Sequence, residues 1–213
     1  MSRVDLSEAI DWESSLSKIS PQLRKLNLSN SYLVGIFPHE LGNLSNLEVL
    51  DIGGNNNLIV NNLEWVSHLP SMKHLDFSET NLSQALDWES SLSKMSSLLK
   101  LNLDGCSLPQ VNPKSFTHSN YSTSLTSLSL KDNGLNISVL YWVSNISKNY
   151  VELHLSGNSF QHIPAGTFSN MNSLQSLDLS STSLKYVASD AFTNTTSLEV
   201  LRLSRNKDRK SVV

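Results

Sequence analysis

The chain has 213 residues, 38% of them hydrophobic and 16% charged, with a formal net charge of −3. No dense basic face emerges, which argues against nucleic acid as a partner, and no apolar run approaches the ~20 residues of a membrane-spanning helix. The single cysteine, Cys106, rules out an intramolecular disulfide.

Residues 1–22 open with MSRVDLSEAIDWESS, which lacks the apolar core of a secretory leader. Leu6–Lys18 is matched almost residue for residue by Leu82–Lys94, and the likeness runs on through Lys25-Leu-Asn-Leu28 against Lys100-Leu-Asn-Leu103. Residues 1–22 are therefore expected to be a partial leading repeat. From residue 23 onward one phrase recurs eight times: Leu, a variable residue, a second apolar residue, two variable residues, then Asn or a stand-in. It reads Leu26 to Ser31, Leu50 to Asn55, Leu75 to Thr80, Leu101 to Cys106, Leu128 to Asn133, Leu153 to Asn158, Leu177 to Thr182 and Leu201 to Asn206. Successive first leucines lie 24, 25, 26, 27, 25, 24 and 24 residues apart. Such a period predicts a solenoid, with seven full repeats over 23–197 and the start of an eighth, truncated repeat over 198–213.

In Leu-x-Leu both leucines lie on one face of a short strand, because side chains alternate across a strand. That face points into the coil, and the residues between and beside the leucines point outward. The Asn that follows ends the strand, where a carboxamide can donate to and accept from backbone groups of adjacent coils. Ser31, Thr80, Cys106 and Thr182 replace it and can make part of that bonding. This assigns Cys106 to the ladder rather than to a reactive thiol. A further apolar residue follows at Leu33, Leu82, Leu108, Leu135, Phe160 and Leu184, with Leu58 displaced by one, and the repeat closes on Leu47, Met72, Leu98, Leu125, Tyr150, Leu174 and Leu198. Burying one Leu or Phe is worth roughly 1.5–3 kcal/mol, and about five such positions per coil make a core only when coils stack.

Segment 33–44, LVGIFPHELGNL, resembles the plant-specific leucine-rich repeat, in which Leu-x-Gly-x-Ile-Pro precedes a Leu-Gly-Asn-Leu-like turn; Phe37 stands where that pattern has Ile, and Ile163-Pro164 repeats the Ile-Pro element. The units Leu63–Leu69 and Leu86–Leu92 resemble those in ectodomains of plant receptor-like proteins of the disease-resistance type. The resemblance implies an α/β leucine-rich-repeat solenoid: a parallel β-sheet on the concave face and short helical or irregular segments on the convex face. It also implies a non-catalytic module recognising a peptide or protein, in defence or developmental signalling, with a co-receptor kinase as a further partner. The parent protein would lie at the extracellular face of the plasma membrane, anchored by one span. A secreted inhibitor of pathogen wall-degrading enzymes, a cytoplasmic repeat domain of an immune nucleotide-binding protein and a nonfunctional receptor gene fragment are the alternatives.

Seven N-glycosylation sequons occur, at Asn27, Asn43, Asn81, Asn120, Asn136, Asn145 and Asn194. Asn43, Asn120, Asn145 and Asn194 are expected in back-side loops and are the candidate sites; Asn27 lies on a strand, where a glycan would block the inner face. Trp12, Trp65, Trp88 and Trp142 recur at one point of the coil, which favours packing on the convex side over a surface binding cluster. The six histidines show no metal spacing, and no nucleophile elbow or phosphate loop is present, so neither catalysis nor a cofactor is indicated. The basic run from Arg202 to Lys210 could pass for a nuclear signal but reads more simply as part of a repeat.

The outward strand residues should form two columns down the concave face. The middle one runs Asn27, Asp51, Asp76, Asn102, Ser129, His154, Asp178, Arg202, and beside it run Lys25, Val49, His74, Lys100, Ser127, Glu152, Ser176, Val200. Eight strands at ~4.8 Å make a face about 34 Å long, room for about ten extended residues. The candidate ligand-binding residues are Lys25, Asp51, His74, Asp76, Lys100, Asn102, His154, Asp178 and Arg202. His74 and His154 are expected to be ordinary exposed histidines, with a pH-sensitive contact as the sharper alternative.

Overall fold

The computed structural model describes residues 22–112 and 123–206. Trp12, Asn120, the Leu6–Lys18 match and the basic residues beyond Asn206 lie outside them. The strands, in chain order, are β1 (Lys25–Asn27), β2 (Val34–Ile36), β3 (Val49–Asp51), β4 (Asn57–Ile59), β5 (His74–Asp76) and β6 (Lys100–Asn102). They continue with β7 (Ser127–Ser129), β8 (Glu152–His154), β9 (His162–Ile163), β10 (Ser176–Asp178), β11 (Tyr186–Val187) and β12 (Val200–Arg202). Among the described residues, two α-helices, α1 (Trp88–Ser93) and α2 (Ser138–Ile146), and two 3-10 turns, His39–Asn43 and Glu64–His68, lie on the opposite side of the coil.

Eight strands form one parallel sheet in the order β1-β3-β5-β6-β7-β8-β10-β12. Every strand is three residues long and every pairing keeps one register, so the central leucines line up from Leu26 through Leu50, Leu75, Leu101, Leu128, Leu153 and Leu177 to Leu201. The interior leucines of this column are sealed: Leu50 and Leu177 are 0% exposed, whereas Leu201 on the edge strand is 42% exposed. The difference measures what a neighbouring coil contributes, since no coil can bury its own apolar face alone.

The ladder forms as its chemistry requires. Asn55 accepts from the amides of Ser31 (3.1 Å) and Leu33 (3.0 Å) and donates to the carbonyls of Leu28 (2.9 Å) and Ile52 (2.7 Å). Asn133, Asn158 and Asn206 repeat this pattern, each tying its own coil to the one before. The stand-ins make part of it: the hydroxyls of Thr80 and Thr182 donate locally to Phe77 O and Leu179 O, and the Cys106 thiol donates back to Phe77 O of the preceding coil. Directly before this slot the backbone is left-handed in all eight coils, at Asn30, Gly54, Glu79, Gly105, Asp132, Gly157, Ser181 and Arg205. Glycine adopts that conformation freely, but a long side chain such as Glu79 or Arg205 does so at a cost of about 1 kcal/mol.

Two short two-stranded sheets accompany the first. β2 pairs with β4 and β9 with β11, both in parallel, and isolated bridges join Ile59 to Asn81 and Asn136 to Ser159. On the convex side Trp65, Trp88 and Trp142 are buried at 5%, 0% and 0% exposure, so the packing reading of these tryptophans holds. Trp88 donates its indole N–H to Pro109 O, and Trp142 donates to Glu89 O and Ser93 Oγ.

Candidate ligand-binding face

The single register places the two outward columns as their spacing requires: Lys25, Val49, His74, Lys100, Ser127, Glu152, Ser176 and Val200 in one, and Asn27, Asp51, Asp76, Asn102, Ser129, His154, Asp178 and Arg202 in the other. Between them lies a hollow of about 400 Å³. It brings together six of the sequence-derived candidates, Asp51, His74, Asp76, Lys100, Asn102 and His154. Lys25, Asp178 and Arg202 stand outside its walls, on β1, β10 and β12.

Two charged residues of the hollow, Asp104 and Lys131, escape a reading of the strands alone, because each sits one position beyond the last strand residue plus a leucine. The signal was available in the repeat: this position also faces outward, since side chains alternate. Asp104 accepts from the Ser129 hydroxyl and from the Lys131 amide at 2.7 Å, and its other oxygen faces Lys131 Nζ at 3.7 Å.

The middle column also closes the turns, a second duty that the spacing does not announce. Asp51 accepts from the Gly53 amide at 3.1 Å, Asp76 from the Ser78 amide at 2.9 Å, and Asp178 from the Ser180 amide at 2.9 Å. Asn27 and Asn102 bond the amides of Ser29 and Asp104 in the same way. Each is an Asx-turn, in which a short polar side chain satisfies the amide two residues on. The same side chains link sideways, Asn27 Nδ2 donating to Asp51 Oδ2 and Asn102 Nδ2 to Asp76 Oδ2, both at 3.0 Å.

His74 and His154 are half-buried rather than exposed, because the side chains of adjacent strands crowd them. Burial lowers the pKa of His74, and Lys100, Lys25 and Lys73 lower it further. Burial likewise lowers His154, with Lys131 adding to the effect against Glu152, Asp178 and Asp104. Asp51 is raised, by burial first and by Asp76, against the Gly53 hydrogen bond. Burial opposes ionisation of Asp178 too, yet hydrogen bonds from Ser180 and Ser156 outweigh it and its pKa is lowered.

The sequon asparagines are dispersed. Asn43 is exposed at the end of the His39–Asn43 turn, and Asn194 is exposed at φ +60° with Nδ2 donating to Asn170 Oδ1 at 3.0 Å. Asn145 is not in a loop: it sits in α2 and donates to Tyr141 O at 2.7 Å. The apolar spacing of Val139, Leu140, Trp142, Val143 and Ile146 makes that stretch an amphipathic helix with Asn145 on its outer face.

The leucine-rich repeat family model matches residues 21–82 and 149–207. The chain belongs to the leucine-rich repeat family. It is 36% identical over 159 residues to the receptor-like protein EIX1 of Solanum lycopersicum, a match covering 74% of this chain and 15% of that protein. The plant peptide hormone receptor RGFR1, solved in complex with RGF2, is 25% identical with a TM-score of 0.68, covering 87% of this chain and 28% of that one. The Arabidopsis receptor kinase HAESA ectodomain, solved with an extended IDA peptide hormone, is 26% identical with a TM-score of 0.64, covering 84% and 29%. The chain thus spans well under half the length of these relatives. It resembles ligand-binding ectodomains of leucine-rich-repeat receptors, a fold that generally serves recognition rather than catalysis. No described helix is long and apolar enough to cross a membrane.

Proposed function

We propose that this chain is a recognition module of a plant receptor-like protein and that its concave face binds an extended peptide. Lys25, Asp51, His74, Asp76, Lys100, Asn102, His154, Asp178 and Arg202 make the contacting surface, together with Asp104 and Lys131. The observation that carries this is the unbroken register of eight parallel strands, which holds two polar columns and a hollow of about 400 Å³ on one continuous face. Support comes from RGFR1 and HAESA, receptors of the same fold solved with peptide hormones. The parent protein acts at the extracellular face of the plasma membrane in defence or developmental signalling, with a co-receptor kinase as second partner. Asn43, Asn120, Asn145 and Asn194 carry its glycans.

The test is selection from an unbiased library of displayed decapeptides on the full chain. A selected peptide should shift backbone amide resonances of β3 to β8. The variants His74→Ala, His154→Ala, Asp76→Asn and Asp178→Asn should each weaken it while leaving the circular dichroism unchanged. Unchanged affinity in all four rejects this face.

A further inference from the structure

The first four strands of the main sheet segregate charge by column. On one side stand Lys25, His74 and Lys100, flanked by Lys73 and Arg24. Glu48 lies among these flanking cations and pairs with both Arg24 and Lys73, but among the described residues neither Lys25 nor Lys100 forms an ion pair. On the other side stand Asp51 and Asp76, held by neutral donors only: the amides of Gly53 and Ser78, the Ser78 hydroxyl, and the side-chain amides of Asn27 and Asn102. Neither carboxylate forms an ion pair among the described residues. Lys25 and Lys100, with His74 between them as a neutral hydrogen-bond donor, therefore run beside Asp51 and Asp76, about 7 Å apart along each strand, and His74, Lys100, Asp51 and Asp76 all wall the same hollow. Beyond β6 the order breaks, with Glu152 in the first column and Arg202 in the second.

An extended chain laid across these strands sends successive side chains to opposite edges. We propose that the ligand segment over β1, β3, β5 and β6 is a stretch of four or five residues alternating in sign, anionic side chains over Lys25 and Lys100, with the His74 ring between them donating a hydrogen bond, and cationic ones over Asp51 and Asp76. Those strands span about 14 Å, which four or five extended residues cover. The carboxylates are fixed before the ligand arrives, so little ordering entropy opposes their use. This rests on the concave face being the ligand surface, and it adds the ligand's charge pattern.

Two capped hexapeptides of identical composition test it, Gly-Glu-Lys-Glu-Lys-Gly and Gly-Glu-Glu-Lys-Lys-Gly, titrated into the isotope-labelled full chain and followed by amide shifts. The alternating peptide should bind about fivefold more tightly, as expected for two or three partly exposed ion pairs, with shifts centred on Val49, His74, Asp76 and Lys100. The D51N/D76N variant keeps the turn hydrogen bonds and removes the charge, so it should erase the preference, as should K25Q/K100Q. Equal affinities, or binding of neither peptide, overturn the charge pattern; the concave reading then stands if the library-selected decapeptide still shifts β3 to β8. Shifts confined to α1, α2 and the 3-10 turns would overturn both.

Discussion

Trp88 and Trp142 meet edge to face with ring centroids 4.9 Å apart, although one belongs to the third repeat and the other to the fifth. The convex elements of these repeats touch directly, and the Trp142 indole N–H binds the backbone of α1 at Glu89. This contact ties the third repeat to the fifth. Trp142→Phe keeps most of the apolar contact and loses the indole donor, while the Ser93 hydroxyl still donates to Glu89 O, so it should cost about 0.5–1.5 kcal/mol in urea denaturation. Trp142→Ala should cost about 3–5 kcal/mol, and its combination with Trp88→Ala should fall short of additivity because the two share one contact.

Asn158 is 4% exposed and joins Leu135 N, Leu130 O and Leu155 O. Asn158→Ala leaves Leu135 N and Leu155 O without partners at about 1–3 kcal/mol apiece, less what water recovers, whereas Leu130 O keeps the Asn133 side-chain amide. Asn158→Thr should lose less, since Thr80 and Thr182 keep the local bond to the strand carbonyl in the same slot. Unfolding midpoints of the two variants give the comparison; equal losses would mean that only the carboxamide matters.

Burial pushes the Cys106 thiol up to about 12, and its proton is held by Phe77 O. The thiolate is the reactive form, so the folded protein should resist Ellman's reagent at pH 8 and react fully only in denaturant. Rapid labelling of the native chain would show that the fourth coil opens.

His74 and His154 both titrate below the ordinary imidazole range in the folded chain. Between the folded value and the unfolded one near 6.5, the unfolded state holds more protons, so stability rises with pH. Stability should therefore be full above about pH 7, fall on acidification through the unfolded value, and level off below the folded values. Asp51, raised by burial, acts in the opposite direction at lower pH. Comparing denaturation at pH 7.5 and 5.5, His74→Gln/His154→Gln should show a smaller loss than the parent chain.

The sheet is legible in the sequence because Leu-x-Leu fixes which way each side chain points, and a period that varies by no more than three residues forces one register. The ladder is legible for the same reason: Asn, Thr, Ser and Cys recur in one slot at the end of each strand, where backbone groups need partners. The Trp88–Trp142 contact is not, since it joins two repeats that are not consecutive in sequence. Nor is the half-burial of His74 and His154, which comes from side chains on neighbouring strands rather than from their own repeats. Asn145 misleads because a sequon suggests a loop, while the apolar spacing around it makes a helix.

The Asx-turns divide the concave face into positions free to vary and positions that are not. Asp51, Asp76, Asn102 and Asp178 each close a bend as well as face outward, so only another short acceptor can stand there without loosening the coil. Lys25, Val49, His74 and Lys100 carry no such obligation. A face built this way can be retuned toward a new binding partner by replacing side chains in one row, while the row beside it keeps the scaffold's shape.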